Sequence, residues 1–578
     1  MIQQNLHKVF RCVLYESGML EMNNGIMTNI KMGNGEHILG EMMDGETAGY
    51  RRRLIDARLE RELEARPAVE LYGITHAGKA TSARVHAASV CDLAHDGDAR
   101  DAARADPTLV IAGAEPRAIL DCQAVPALEP AAEAYAEALA SAGSNGALIL
   151  TSSRAAATGG AVRAVAQTGL DIPTETPGAT AVGDTGEANA PAPGGVARLR
   201  MYPLSLQELG ISDASASLEG LLDGEIRASR FTAGTAPSVG GGIDTGMNAC
   251  NASGTGYGLG AGYGLAGGAG RGTLTTPELA RWCCRGGWPA LNDFGFTQVA
   301  PNAVAGESES AIGATESEYG VTDNAFGLVD TARLAPDSAG CGEVVHGYVD
   351  EALADAAAAA GLSVATARAL AWTLAVHLGE IPDASALASG MEAAAGANPA
   401  RDTIRTYLRL LEASQLAIPV PGWVPPGRNR AHMRVKPRYY FADPSIPAAL
   451  LSDTPEALLG RFRRLERLLE NLVLRDLLVY LEAADSGARV SYYQESTGLA
   501  ATFVVERGGL GERGYRWGAV RVCLSDAEAD AAAKDLLKVR KRAKVPAPGF
   551  LAVVTGRGGY PVCRKDGVFV VPVASLGA

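Results

Sequence analysis

The residues with the most specific chemistry lie in one short stretch, Gly73-Ile74-Thr75-His76-Ala77-Gly78-Lys79-Ala80-Thr81. Two glycines five apart followed by lysine let backbone N–H groups wrap phosphate oxygens, while the lysine ammonium reaches the terminal phosphates. Gly73, His76, Ala77, Gly78, Lys79, Ala80 and Thr81 are therefore the candidate nucleotide-binding residues. Such a loop normally carries Ser or Thr after the lysine to ligate Mg²⁺. Here that position is Ala80, and Thr81 sits about 100° further round a helix, so Mg²⁺ coordination is in question.

Two apolar runs end in polar residues, Ala118-Ile119-Leu120-Asp121 and Ala147-Leu148-Ile149-Leu150-Thr151-Ser152. Buried parallel strands read this way, with their chemistry at the C-terminal ends. Asp121 is the candidate catalytic acid and metal ligand. Cys122 follows Asp121 where many ATPases carry a glutamate that polarises the attacking water. Weak or absent hydrolysis is expected.

These groups need elements to hold them. Residues 68–72 form a strand-like run before the loop, and 82–88 continue it as a helix. Leu54, Ala57, Leu59 and Leu63 suit a short amphipathic helix ending before Pro67. Helices are predicted from Thr276 to Arg285, from Tyr348 onward, around Leu370, Leu374 and Leu378, and from about Asp402. The last of these puts Ile404, Leu408 and Leu411 on one face and Arg401, Arg405 and Arg409 on another. An extended segment follows at 416–424. The arginine stripe reads first as a solvated helix face; the basic run Arg428, Arg430, Arg434, Lys436 and Arg438 beyond it also makes it the candidate DNA-contacting face. From about Ala457 a strongly periodic helix leads into an α/β pattern, with strands at 489–493, 501–506, 515–524, 550–555 and 568–573 and a helix at 527–539.

Further blocks occur in a consistent order: Arg52-Arg53-Leu54-Ile55-Asp56, Arg198-Leu199-Arg200-Met201-Tyr202-Pro203-Leu204, Arg285-Gly286-Gly287-Trp288-Pro289 and Glu495-Ser496-Thr497-Gly498-Leu499. With the Gly73-to-Thr81 loop and the two apolar runs, they resemble bacterial and archaeal AAA-type ATP-binding proteins. That family joins a P-loop domain to a winged helix and a C-terminal restriction-endonuclease-like domain of unknown function.

The resemblance implies an α/β fold with an N-terminal extension (1–49), an AAA-type P-loop core (50–235), a Gly-rich insertion (236–275) and a helical remainder of the core (276–345). A winged-helix domain (346–445) and a restriction-endonuclease-like domain (446–578) complete it. It implies ATP as ligand, Thr151 or Ser152 as the polar sensor at the end of a central strand and, through ring assembly, a homo-oligomer. Gly195 replaces the arginine of a finger that would reach a neighbouring subunit, which weakens the ring inference. The family's nuclease carboxylates and lysine are replaced in Ala500-Ala501-Thr502 and Arg521-Val522-Cys523, so phosphodiester cleavage is not expected.

Composition bounds the remainder. The chain has 578 residues, net charge −13 and 47% hydrophobic residues, which suits several packed domains and excludes wholesale disorder. An acidic balance leaves DNA binding only to a local basic face. The nine cysteines form no C-x-x-C pair and suggest a reducing, cytoplasmic setting. No apolar run is long enough to span a membrane, and no signal layout opens the chain. Residues 1–49 read as a disordered extension. Residues 240–272, with 14 glycines in 33 positions, read as an insertion without a core.

Overall fold

The computed structural model describes residues 50–153, 195–225, 273–292, 338–396, 399–425, 433–509 and 514–578. The N-terminal 49 residues, the glycine cluster at 240–272, Arg428 and Arg430 lie outside the described residues. Among the described residues the fold is mixed α/β, with a five-stranded parallel sheet, a six-stranded mixed sheet, two two-stranded pairs and a helical group.

The first sheet contains β1 (Ala68–Tyr72), β2 (Ser89–Asp92), β3 (Arg117–Leu120), β4 (Leu148–Ser152) and β5 (Val196–Arg200), all parallel in the order β2-β3-β4-β1-β5. Alternation sorts the side chains of these short strands between two helical layers. Val69, Leu71, Ala118, Leu120 and Ile149 pack with α1 (Asp56–Ala65) and α2 (Lys79–Val85). Ala68, Ile119, Leu148 and Leu150 face α3 (Gly97–Ala105) and α4 (Leu128–Ala142) on the other side. The strand ends agree with the apolar runs to within a residue. The helix after the loop lies three residues earlier than its 82–88 expectation, from Lys79 to Val85.

The chain continues through β6 (Ala216–Ser217), α5 (Leu218–Asp223) and α6 (Thr276–Arg285). A capping box fixes the start of α6, with the Thr275 hydroxyl against the Glu278 backbone N–H and the Glu278 carboxylate returning to the Thr275 N–H. Four helices follow: α7 (Ser338–Ala360), α8 (Val364–Val376), α9 (Ala384–Ala395) and α10 (Arg401–Ala413). They lead into an antiparallel pair, β7 (Ala417–Val420) and β8 (Arg438–Phe441). The α7 helix starts ten residues before Tyr348 and crosses the 345/346 boundary drawn from the sequence, so the two flanking segments share one element. The α9 helix has no counterpart in the sequence expectations.

The long helix α11 (Phe462–Ala484) then precedes a six-stranded sheet. Its strands are β9 (Arg489–Gln494), β10 (Ala500–Arg507), β11 (Arg516–Cys523), β12 (Phe550–Thr555), β13 (Val562–Cys563) and β14 (Phe569–Pro572), in the order β13-β14-β12-β11-β10-β9. The β9–β11 segment is an antiparallel meander, and α12 (Ala529–Ala543) carries the chain over to β12, parallel to β11. One face of this sheet packs on α12, through Trp517, Ala519, Leu551 and Val553, and the other joins the large core that includes α11. The chain ends in β15 (Leu576–Gly577), which pairs in parallel with β6 and ties the C-terminus to the segment after the first sheet.

Candidate functional site

The loop from Gly73 to Lys79 leaves the C-terminal end of β1, between neighbours β4 and β5. Its backbone requires glycine at the entry: Gly73 has φ +152°, and a Cβ there would stand 2.1 Å from the Met201 carbonyl oxygen. Gly78, with φ +99°, ends the loop as the residue before α2. The Gly73 N–H donates to the Ser152 carbonyl at 3.1 Å, which fixes the loop to the end of β4. From the other side, the buried Arg53 guanidinium donates to the carbonyls of Ala77 and Tyr202, both at 2.9 Å, and pairs with Glu208 at 2.8 Å.

Lys79 is 5% exposed, and its ammonium donates to the Ile74 carbonyl at 2.7 Å. Burial pushes its pKa down to about 8, with the Asp121 carboxylate acting in the opposite direction. The ammonium thus closes the loop upon itself and stays within electrostatic reach of Asp121. Ala77 is fully buried, Ala80 packs against the core beneath the sheet, and Thr81 is half-buried in the first turn of α2.

Asp121 follows β3 in the left-handed region, φ +57°, before a 3₁₀ turn at Cys122–Ala124. Its side chain makes no capping bond to that turn; Oδ1 accepts from the Gln123 amide at 3.0 Å. The Thr151 hydroxyl, at the end of β4, accepts from the Asp121 N–H at 2.9 Å. The structure therefore brings together the loop, Asp121 and Thr151, with Ser152 buried beside them. Cys122 instead points back toward its strand, its thiol against the Ile119 carbonyl, and burial raises its pKa well above that of a free thiol.

Gln123 is a residue the sequence argument passed over. It lines an open cavity of about 280 Å³ together with Thr75, Ser153, Ala352, Asp355, Ala356 and Ser414, and its carbonyl oxygen accepts from the Ser153 N–H at 3.2 Å. The buried Thr75 hydroxyl has no hydrogen-bond partner in the structure. A polar side chain two positions after Asp121 was the available signal for Gln123. Nothing local signalled the contribution of α7, whose lining residues lie about 230 positions further along the chain.

His76 lies at the tip of the loop with φ +61°. Its ring stacks on Tyr348 of α7, centroids 3.9 Å apart and planes 20° apart, and its Nε2 lies 2.8 Å from Glu351 Oε2. The residue is exposed, as expected for a loop tip, yet engaged on two sides. Tyr348 also meets the edge of buried Trp288, at 5.3 Å between centroids.

Arg401, Arg405 and Arg409 are exposed along α10, with Arg405 paired to Asp402 at 3.1 Å. The C-terminal end of α10 approaches the cavity through Ser414, which places Arg401 about 20 Å away at 1.5 Å per residue. The structure does not bring this stripe to the loop. In the six-stranded sheet, Thr502 Oγ1 accepts from the Val522 N–H at 3.1 Å, and Thr502 and Cys523 are buried. Among the described residues, no group of three His, Cys, Asp or Glu side chains is placed to hold a metal ion.

The backbone of a strand-to-helix loop, a lysine and a nearby aspartate are the groups that can bind and orient a phosphorylated ligand. They fit Mg²⁺ poorly, because Ala80 has no side-chain oxygen and one oxygen of Asp121 is held by Gln123. Residues 339–457, from α7 to just before α11, match a family described as a domain of unknown function (DUF8612). No curated protein and no solved structure matches the chain. Among the described residues no helix is long and apolar enough to cross a membrane.

Proposed function

We propose that the protein binds ATP at the 73–81 loop, as an AAA-type P-loop protein in which hydrolysis is weak or absent. The observation that carries this reading is the strand order. An all-parallel β2-β3-β4-β1-β5 sheet inserts β4 between the loop strand and the Asp121 strand, which is the arrangement of the additional-strand P-loop ATPases. The loop leaves the C-terminal end of β1, where open α/β sheets bind their ligands. Lys79 serves the phosphates, Asp121 is the acid opposite them, and Thr151 and Ser152 are the polar groups between.

The catalytic apparatus is incomplete. Cys122 replaces the water-polarising glutamate and faces its own strand, Ala80 offers no metal ligand, and Gly195 replaces the finger arginine. No step is therefore derived through Mg²⁺. The other two domain readings belong to the same proposal. The α7–α10 helices with the β7–β8 pair suit a winged helix, and the β9–β11 meander, α12 and β12 suit a restriction-endonuclease-like fold used for binding or assembly. Through the exposed arginines of α10, DNA is the partner that this reading favours.

Calorimetric titration with ATP tests the assignment. Saturable binding by the wild type, lost in Lys79→Ala, supports it; equal affinity in both, or none in either the wild type or a variant with an opened loop, removes it. Phosphate release that is rapid and abolished by Asp121→Asn would replace weak hydrolysis with an active ATPase.

A further inference from the structure

The contact between the loop and α7 goes beyond nucleotide binding as such. We propose that α7 is a latch that holds the 73–81 loop closed, and that a nucleoside triphosphate enters only when the His76–Tyr348–Glu351 contact opens. The proposal rests on the nucleotide reading above and adds an autoinhibitory role for the first helix of the family-matched segment.

Three observations support it. First, His76 is held by α7 from two directions, by the Tyr348 ring at 3.9 Å and by the Glu351 carboxylate at 2.8 Å. Second, successive turns of one α7 face continue this contact along the mouth of the site: Tyr348, Glu351 and Ala352, then Asp355 and Ala356, the last three lining the cavity opposite Thr75, Gln123 and Ser153. Third, the Lys79 ammonium is 5% exposed and gives one of its three hydrogens to the loop's own Ile74 carbonyl, so a phosphate reaches the others only when the loop opens.

Charge gives the latch its direction. Glu351 and Asp355 are one turn apart and present carboxylates beside the place where a triphosphate would lie, so an incoming polyanion is repelled while α7 stays docked. Opening removes both carboxylates and frees the His76 ring. The helix itself is held by its apolar face, where Val345, Val349, Leu353 and Ala357 are buried in the large core. Opening is therefore a separation of the loop from α7 that leaves the helical group packed.

The test compares ATP affinity by calorimetry in the full-length wild type, Glu351→Gln, Tyr348→Ala/Glu351→Gln and each with Lys79→Ala, alongside hydrogen–deuterium exchange of residues 73–81 without nucleotide. Glu351→Gln is isosteric at a half-exposed site and keeps the fold, so it carries the test if the double variant is unstable. The expected result is affinity raised about threefold by Glu351→Gln and about tenfold by the double variant, with faster loop exchange and all binding lost with Lys79→Ala. Binding equal to wild type, with unchanged exchange but still lost in Lys79→Ala, overturns the latch and leaves the nucleotide reading intact. Weaker binding in Glu351→Gln also overturns it, by making α7 part of the site. No ATP binding in any variant, despite faster loop exchange, overturns the nucleotide reading and the gating role with it.

Discussion

Arg475 and Asp443 form an ion pair removed from solvent, Nη1 to Oδ2 2.9 Å, with side chains 1% and 0% exposed. The same guanidinium binds Asp476 at 2.7 Å, whose other oxygen accepts from the Leu206 N–H at 3.2 Å. Asp443 Oδ2 also accepts from the Gly287 N–H at 2.9 Å, and Oδ1 accepts from the Ser445 hydroxyl at 2.6 Å, which in turn accepts from Trp288 Nε1 at 2.8 Å. One buried network thus joins α11, the segment after β8, the Arg285-Gly286-Gly287-Trp288 turn and the segment after β5.

Breaking that network leaves buried carboxylates without a counter-ion. Arg475→Ala is expected to cost about 3–5 kcal/mol, read as a lowered denaturant midpoint at pH 7. A loss below about 1 kcal/mol would mean that packing alone holds these segments together.

Nucleotide affinity is expected to depend on pH through Lys79. Its pKa in the free protein is about 8, and a bound polyanion favours the ammonium, raising it. Affinity is then greatest below pH 8 and falls by up to about tenfold per unit above it. Titrations from pH 6.5 to 9.5 at constant ionic strength check this. A flat wild-type profile across this range would exclude Lys79 as a titrating contact to the ligand.

Glu70 predicts a stability slope. It sits on β1 facing α4, where burial raises its pKa to about 7; Arg198 opposes this at 3.0 Å, but that guanidinium is shared with Glu129 and Glu133. The folded-state pKa lies above the ordinary 4.5, so the stability tied to the neutral carboxyl is complete below pH 4.5 and lost as pH rises through 7. Between pH 5 and 8 the wild type should lose about 2–3 kcal/mol that Glu70→Gln does not lose. Parallel denaturation profiles for the two proteins would refute this.

The arginines of α10 predict salt-sensitive DNA binding. Neutralising Arg401, Arg405 and Arg409 together should weaken binding to a short duplex and flatten the dependence of log affinity on log salt by about 0.9 per lost phosphate contact. An unchanged slope in the triple variant would identify the stripe as a solvated face.

Local pattern determined a great deal in this chain. The strand before the loop, Ala68–Tyr72, and the strand at Phe550–Thr555 have the ends that their sequence suggests, because buried parallel strands are short apolar runs bounded by polar or glycine residues. The α6 helix begins at its Thr-Pro-Glu signal for an equally local reason. Gly73, Gly78, Lys79 and Asp121 could be singled out by type and spacing alone. The α9 helix was less legible, since its alanines and serines carry only Leu387 and Met391 as buried apolar residues. What only the tertiary structure decided was which distant segments meet. It put β4 between β1 and β3, paired the chain's last residues with β6, set Gln123 rather than Cys122 toward the cavity, and laid Tyr348 and Glu351 against His76. Helical periodicity says which face of α7 is apolar and leaves open what that face covers, because the partner is chosen by packing and charge across hundreds of residues.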